Sequence, residues 1–384
     1  MSEPRKDPVR GTWSFVVDVR AANGKRQQVR RRGFATKKAA LEALAAVVAD
    51  QARGVFVRPS RVTLAGFLLD EWLPAKRSSL RASTAHSYER LIRLYVEPAI
   101  GAVPLSDVDG SMLNALYSEL LASGRGRARS GGGSGLAPKT VRNVHGVLAK
   151  AFHDAIRWGR VVRNPCDAAD PPRGQSPEMK AWSSDEIRAF IRSTSTHRWA
   201  GVWALMATTG LRRGEMLGLR WQDVNLDAGT VAVRATRIRY ANTVAASTPK
   251  TARGNRTIAI GPVTVAALRA WRKQQAADQL LMGSGWRDAA GLVVTVADGT
   301  APNPEAFSNL FAKLVKRAGL PAIRLHDLRY SYATAALADG VPVKVVSQRI
   351  GHADVGVTLK VYAHVMPGDD EDAALRADGL LREL

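Results

Sequence analysis

Four prolines fall within residues 164–179, at Pro165, Pro171, Pro172 and Pro177. Neither a helix nor a central strand runs through such a stretch, because each proline lacks a backbone donor and clashes with the turn before it. A chain of 384 residues also exceeds one ordinary core, at about 100–200 residues per domain. The stretch from Asn164 to Met179 is therefore expected to be an interdomain linker, with residues 176–384 forming a unit of their own.

Upstream, two kinds of pattern follow one another. Trp13 to Arg20 alternates as a strand, Asn23-Gly24 signals a hairpin turn, Gln27 to Phe34 reads as a second strand, and Thr36 caps a helix through Ala52. This sheet-and-helix unit, residues 1–58, displays Arg30, Arg31, Arg32, Lys37 and Lys38. Residues 59–175 read as helical: Leu64 to Leu69 with Trp72 and Leu73, then Ser83 to Tyr95, then Thr140 to Trp158 with Val141, Val144, Leu148 and Phe152 at helical spacing. Arg81, Arg90, Arg93, Lys139 and Arg142 are the basic positions of interest there, although each taken singly reads as a solvated charge. Gly124 to Gly135, rich in glycine, serine and arginine, reads as a flexible loop. Beyond the linker, Ser183 with Glu186 forms a capping box that opens the first helix of the last unit. The fold class is mainly α with small β-sheets (α+β).

The chemistry concentrates in the second half, in the ordered set Arg212, Lys250, His326, Arg329, His352 and Tyr362. In Thr209-Gly210-Leu211-Arg212-Arg213-Gly214-Glu215 a glycine turn precedes a helical pattern, and Arg212 and Glu215, three apart, share one face near its start. An acid there orients a guanidinium whose fork matches phosphate oxygens. Lys250 lies between the β-rich run Thr230 to Tyr240 and a short strand Arg256 to Ile260, where a lysine on a hairpin tip reaches a substrate from above. His326-Asp327-Leu328-Arg329 repeats the i, i+3 spacing and projects an imidazole with a guanidinium. Ser347 to Val365 contains a helix end at Gly351, then His352, then a short helix leading to Tyr362. Tyrosine, with a free pKa of about 10, needs a positively charged, preorganised phosphate site to act as a nucleophile. Taken singly, the Arg212 and Glu215 pair is equally a surface ion pair, Lys250 a turn lysine and His326 a structural histidine.

In order, Thr-Gly-Leu-Arg-Arg-Gly-Glu, the hairpin lysine, His-Asp-Leu-Arg, Ile-Gly-His and Val-Tyr-Ala-His-Val resemble the tyrosine recombinase family, the phage integrase type of site-specific recombinase. The resemblance implies that Tyr362 attacks a scissile phosphate to give a 3′-phosphotyrosyl bond and a free 5′-hydroxyl, with no cofactor and no metal. Arg212 and Arg329 hold the nonbridging oxygens, Lys250 protonates the leaving oxygen, His326 assists proton transfer, His352 hydrogen-bonds the phosphate and Glu215 positions Arg212. It further implies an arm-type DNA-binding domain over residues 1–58, with Arg30, Arg31, Arg32, Lys37 and Lys38 as candidate DNA contacts, a core-binding helical domain with linker over 59–175, with Arg81, Arg90, Arg93, Lys139 and Arg142 as candidate phosphate contacts, and a catalytic domain over 176–384. The implied partners are double-stranded DNA attachment sites, a homotetramer in the synaptic complex formed from free monomers, a host DNA-bending protein and an excision factor. A helix over Ala373 to Leu384, with Leu375, Leu380, Leu381 and Leu384 on an apolar face, is expected to dock on the neighbouring subunit.

Two departures stand beside these matches. Tyr330 follows Arg329 where many relatives carry a second histidine, and His364 is a flanking residue rather than a base. The acidic run Asp369 to Asp372 lacks the separated geometry of a two-metal site and suits a helix N-terminus.

Charge points the same way. A formal net charge of +22 implies a polyanionic partner and steeply salt-dependent binding. Arginine supplies 42 of the 56 basic residues, which favours forked phosphate and base contacts or reflects a GC-rich genome. Cys166 is the single cysteine, so no intrachain disulfide forms and a reducing cytoplasm is expected; the family resemblance implies a bacterial host and its nucleoid. No apolar run reaches the ~18 residues of a membrane span. Three rivals share parts of the pattern: a chromosome or plasmid dimer resolvase, a type IB topoisomerase and a nonenzymatic DNA-binding regulator.

Overall fold

The structure, a computed structural model, describes residues 3–20, 26–52, 61–123, 135–174, 180–240, 243–247, 254–288, 290–352 and 354–362. It divides into two compact units, Met1–Ser176 and Pro177–Leu384. Asn23-Gly24, most of the Gly124 to Gly135 loop, Lys250, His364, Asp369 to Asp372 and the expected helix over Ala373 to Leu384 lie outside the described residues.

The first unit holds two separate apolar cores. Strands β1 (Arg5–Lys6), β2 (Trp13–Arg20) and β3 (Arg26–Phe34) form an antiparallel sheet. Helix α1 (Lys37–Ala52) covers it, its start fixed by the Ala39 amide donating to Thr36 Oγ1 at 3.1 Å. Val17 pairs with Val29 and Phe15 with Arg31, so alternation buries Phe15, Val17 and Val29 against Ala40, Leu44 and Val47. The same alternation sends Arg30 and Arg32 to the opposite face, where both are exposed.

The second core of this unit is helical. A continuous helical run through Leu64–Gly66, Phe67–Trp72 and Leu73–Lys76 packs with α2 (Ala82–Leu91), α3 (Gly110–Ser123) and α4 (Pro138–Arg157). The face of α4 bearing Val141, Val144, Leu148 and Phe152 is fully buried, each side chain contributing about 1.5–3 kcal/mol of burial. Buried Asp154 accepts from Trp72 Nε1 at 2.9 Å and pairs with Lys76 at 2.8 Å, which ties the first helical run to α4. The linker expected from Asn164 starts later than the prolines suggest. Asn164 caps a turn over Pro165–Ala168, Cys166 is buried in the core, and the Asp170 amide donates to Asn114 Oδ1 at 2.7 Å.

In the second unit, Ser183 and Glu186 make both bonds of the expected capping box on α5 (Ser184–Ser193). Helix α6 (Ala200–Thr209) is buried on nearly all sides and leads through Gly210 into α7 (Arg213–Gly218). The run Thr230 to Tyr240 is not one strand. It splits into β5 (Thr230–Val233), which lies between β4 (Val224–Asn225) and β8 (Arg256–Ala259), and β6 (Thr236–Tyr240), which pairs with β7 (Thr243–Ser247). Helices α8 (Pro262–Met282), α9 (Pro304–Arg317), α10 (Asp327–Ala338), α11 (Val343–Ile350) and α12 (Val355–Tyr362) complete the unit. Trp182, Phe190, Trp203, Phe307 and Phe311 fill its main core, with Trp203 and Phe307 stacked at 4.8 Å. A smaller cluster of Ala333, Leu337, Val346 and Ile350 encloses Tyr362.

Candidate active site

The site is assembled by two glycine turns. Gly210 ends α6 in the left-handed region at φ 63°, and an added Cβ would stand 2.8 Å from the Tyr332 ring. The turn leaves Arg212 extended at the N-cap of α7, where its amide donates to Glu215 Oε2 at 3.0 Å and its Nη1 to Oε1 at 2.8 Å. Its Nη2 donates to the carbonyl of Gly351 at 3.0 Å. Gly351 is the second turn, left-handed at φ 68° where α11 stops.

A residue with no sequence signal completes this half. Arg256, first residue of β8, donates through Nη2 and Nη1 to Glu215 Oε2 and Oε1 at 2.9 and 3.2 Å, and through Nε to the Arg349 carbonyl at 2.7 Å. In sequence it is one arginine of 42 at the start of a short strand, and nothing around it marks it out. Glu215 and Arg256 are only 5% and 8% exposed. Burial pushes the Glu215 carboxyl up, but the hydrogen bonds and charge of Arg256, then the charge of Arg212, outweigh it and hold the group below the usual carboxylate range.

On the other side, Arg329 sits in the first turn of α10, 3% exposed, with Nη1 donating to the Gly210 carbonyl at 2.8 Å. Burial and the charges of Arg212 and Arg256 bring its pKa down to about 9, which leaves it protonated at neutral pH. His326, at the N-cap of α10, meets Tyr330 edge-on at 5.2 Å, and Tyr330 lies 6.1 Å from the Tyr362 ring. Burial and then Arg329 push the His326 imidazole below its ordinary value. His352 bonds Thr358 Oγ1 through Nδ1 at 2.8 Å, so its other ring nitrogen is the one left for a ligand. Burial, Arg329 and Arg212 push His352 down to about 4.

Tyr362 ends α12, 2% exposed, and burial raises its hydroxyl pKa against the opposing charge of Arg329. Among the described residues, four buried side-chain polar atoms have no hydrogen-bond partner, and two of them are Tyr362 Oη and Arg329 Nη2. Three guanidiniums thus surround one carboxylate, with two neutral imidazoles beside them. The surplus is two positive charges, which suits a phosphodiester and its developing transition-state charge.

The structure therefore brings together Arg212, Glu215, His326, Arg329, His352 and Tyr362, while Lys250 lies outside the described residues. The ten candidate DNA contacts all belong to the first unit. Arg30, Arg32, Lys37, Lys38, Arg90, Lys139 and Arg142 are exposed, whereas Arg31 and Arg81 are half-buried. Lys37 lies over the Trp13 ring at 5.9 Å. Arg93 is exposed but paired with Glu89 at 3.1 Å and Glu97 at 3.7 Å. Among the described residues no cluster of three or more His, Cys, Asp or Glu could hold a metal, and no helix is long and apolar enough to cross a membrane.

Comparison with known families decides the class. Residues 181–368 match the phage integrase family, residues 5–50 an arm DNA-binding domain and residues 66–121 the N-terminal SAM-like domain of phage integrases. The chain belongs to the tyrosine recombinase family. Members cleave and rejoin DNA strands, and this recombinase is an enzyme of that class. It is 27% identical to the tyrosine recombinase XerC-like protein of Caldanaerobacter subterraneus subsp. tengcongensis, over 81% of this chain and 82% of that one. With an integrase of Streptomyces ambofaciens it shares 25% identity over 98% of this chain and 95% of the relative. Its fold is similar to that of the Tn1549 transposon integrase solved in complex with circular intermediate DNA, with a TM-score of 0.67 and 19% identity over 83% of this chain and 99% of that one.

Proposed function

We propose that this recombinase is the integrase of a temperate phage or integrative element, joining the element's DNA to a target site through Tyr362. The Tyr362 oxygen attacks the scissile phosphorus, the bond to the 5′-oxygen breaks, and a 3′-phosphotyrosyl ester holds the strand. The freed 5′-hydroxyl then attacks the equivalent linkage on a partner strand and releases the tyrosine. One ester replaces another at each step, so no external energy source enters.

The fork of Arg329 and that of Arg212 take the two nonbridging oxygens, and the free ring nitrogen of His352 donates to the same group. His326, neutral through burial, accepts the proton that the Tyr362 hydroxyl sheds. Lys250 delivers a proton to the departing 5′-oxygen, and Glu215 keeps Arg212 aimed. Exposed Arg30 and Arg32 on the open face of the arm sheet, with Arg90, Lys139 and Arg142 on the helical domain, contact phosphates of double-stranded attachment sites. Strand exchange takes place in a homotetramer, with a host DNA-bending protein and an excision factor as accessory partners.

The observation that carries this reading is that Arg329 Nη2 and Tyr362 Oη are both buried and both without partners, with the Arg329 charge acting on the Tyr362 hydroxyl inside one cationic cluster. The test uses two plasmids, each carrying one flank of the chain's own gene. Covalent joining of the plasmids is expected, whereas relaxation of supercoils with no joining would replace this reading by a topoisomerase.

A further inference from the structure

Arg212 has two partners beyond its own backbone, the Glu215 carboxylate and the Gly351 carbonyl. Arg256 reaches the structural support of both. It grips Glu215 with two nitrogens at 2.9 and 3.2 Å, and with its third it holds the Arg349 carbonyl at 2.7 Å, two residues before Gly351. The turn is shaped around this side chain: a Cβ on Gly351 would stand 2.8 Å from Arg256 Nη1 and 3.0 Å from Cζ. Among the described residues, no other carboxylate bonds Arg212, Arg256 or Arg329.

We propose that Arg256 is a positioning residue for strand cleavage, holding Glu215 and the Arg349 to Gly351 turn at once so that both anchors of Arg212 stay in register. The inference rests on the reading that Arg212 serves strand transfer. It lets the strand that follows the Lys250 segment act on the phosphate-binding arginine through that arginine's two anchors. A forked group is required, because one side chain must satisfy two carboxylate oxygens and a carbonyl in a fixed plane.

The charge argument adds a readout that a purely structural role would not move. The charged groups facing Glu215 are Arg212 on its own helix, Arg256 from β8 and Arg329 from α10, with His326 and His352 in the same cluster and both held below their ordinary values. With Arg256 removed, burial pulls the Glu215 carboxyl upward, so the carboxylate that aims Arg212 is lost at low pH and regained at high pH.

The experiment measures single-turnover formation of the covalent protein–DNA adduct by the full chain, on duplex from the flanks of its own gene, at saturating DNA and between pH 6.5 and 9. R256M is expected to lower the rate about 100-fold at pH 7, the scale of a misplacement near 1 Å, with noncovalent DNA affinity unchanged and with rate recovered as pH rises. E215Q is expected to lose rate without that pH dependence, and R256M with E215Q to lose less than the product of the two single losses. R256K, which keeps the charge but not the fork, should fall between wild type and R256M and carries the test should R256M fail to fold. A wild-type chain that forms no adduct would overturn the reading of the site itself. Wild type that cleaves beside an R256M or R256K that cleaves equally well, or an R256M defect additive with E215Q at every pH, would overturn the role of Arg256 alone.

Discussion

Arg212 and Arg329 present the same guanidinium to one site, yet their surroundings differ. The Arg212 side chain is 39% exposed, and its nitrogens are engaged by a carboxylate and a carbonyl. Arg329 is enclosed, has a single side-chain bond to the Gly210 carbonyl, and keeps Nη2 without a partner. The first is aimed by an ion-pair network that one substitution can unlatch, whereas the second is aimed by close packing around a helix start. A buried donor left without a partner costs on the order of 1–3 kcal/mol, more when charged, and a bound phosphate oxygen would relieve that cost on the Arg329 side. Ground-state strain therefore resides on one side of the site and adjustable electrostatics on the other.

The largest effect expected from this contrast belongs to Arg329. Arg329→Lys keeps a charge but neither the fork nor the Gly210 bond, and single-turnover cleavage should fall by about 100- to 1000-fold, the loss typical of one transition-state donor at about 3–4 kcal/mol. Arg212→Lys should lose less, because Glu215 still holds a cation at that place; equal losses in the two variants would break the contrast. Next comes Gly351→Ala, which forces a Cβ into the left-handed region and against Arg256. Denaturant melts should show a loss of about 1–2 kcal/mol from the backbone alone, together with slower cleavage.

The pH dependence of stability sharpens the same picture. His352 is held at about 4 in the folded chain, against an ordinary value near 6.5, and His326 is shifted in the same direction. Between those values the unfolded chain binds the extra proton, so stability is full above about pH 6.5 and is lost as pH falls toward 4. Thermal unfolding across that window should show the slope, and His352→Gln should flatten it; an unchanged slope would contradict the burial of a neutral imidazole. The smallest effects lie in the first unit. Arg30→Ala and Arg32→Ala should each lower the slope of log affinity against log salt by about 1. Arg93→Ala should change it less, since Glu89 and Glu97 already occupy that guanidinium.

What could be read from the sequence was local. The Thr36 cap, the Ser183 and Glu186 box, the buried stripe of α4 and the stop at Gly351 each depend on residues within one or two turns, and the structure has them all. The residues of the site were legible for the same reason, since Arg212 with Glu215 and His326 with Arg329 are three-residue spacings. The bonds that assemble them were not. Arg212 meets Gly351 across 139 residues, Arg329 meets Gly210 across 119, and Arg256 meets Arg349 across 93. No local pattern encodes such pairings, so Arg256 passed as one more basic residue. The division of Thr230 to Tyr240 was hidden too, because both halves have strand composition and only their partners differ.

The most direct measurement compares wild type with Tyr362→Phe on DNA from the flanks of the chain's own gene, with reactions quenched in denaturant and the products digested for mass spectrometry. The account predicts a wild-type adduct in which a 3′-phosphate is esterified to the peptide containing Tyr362, no adduct in the variant, and equal thermal stability, because the lost hydroxyl has no partner in the fold. An adduct that persists in Tyr362→Phe, or one mapped to another residue, would contradict it.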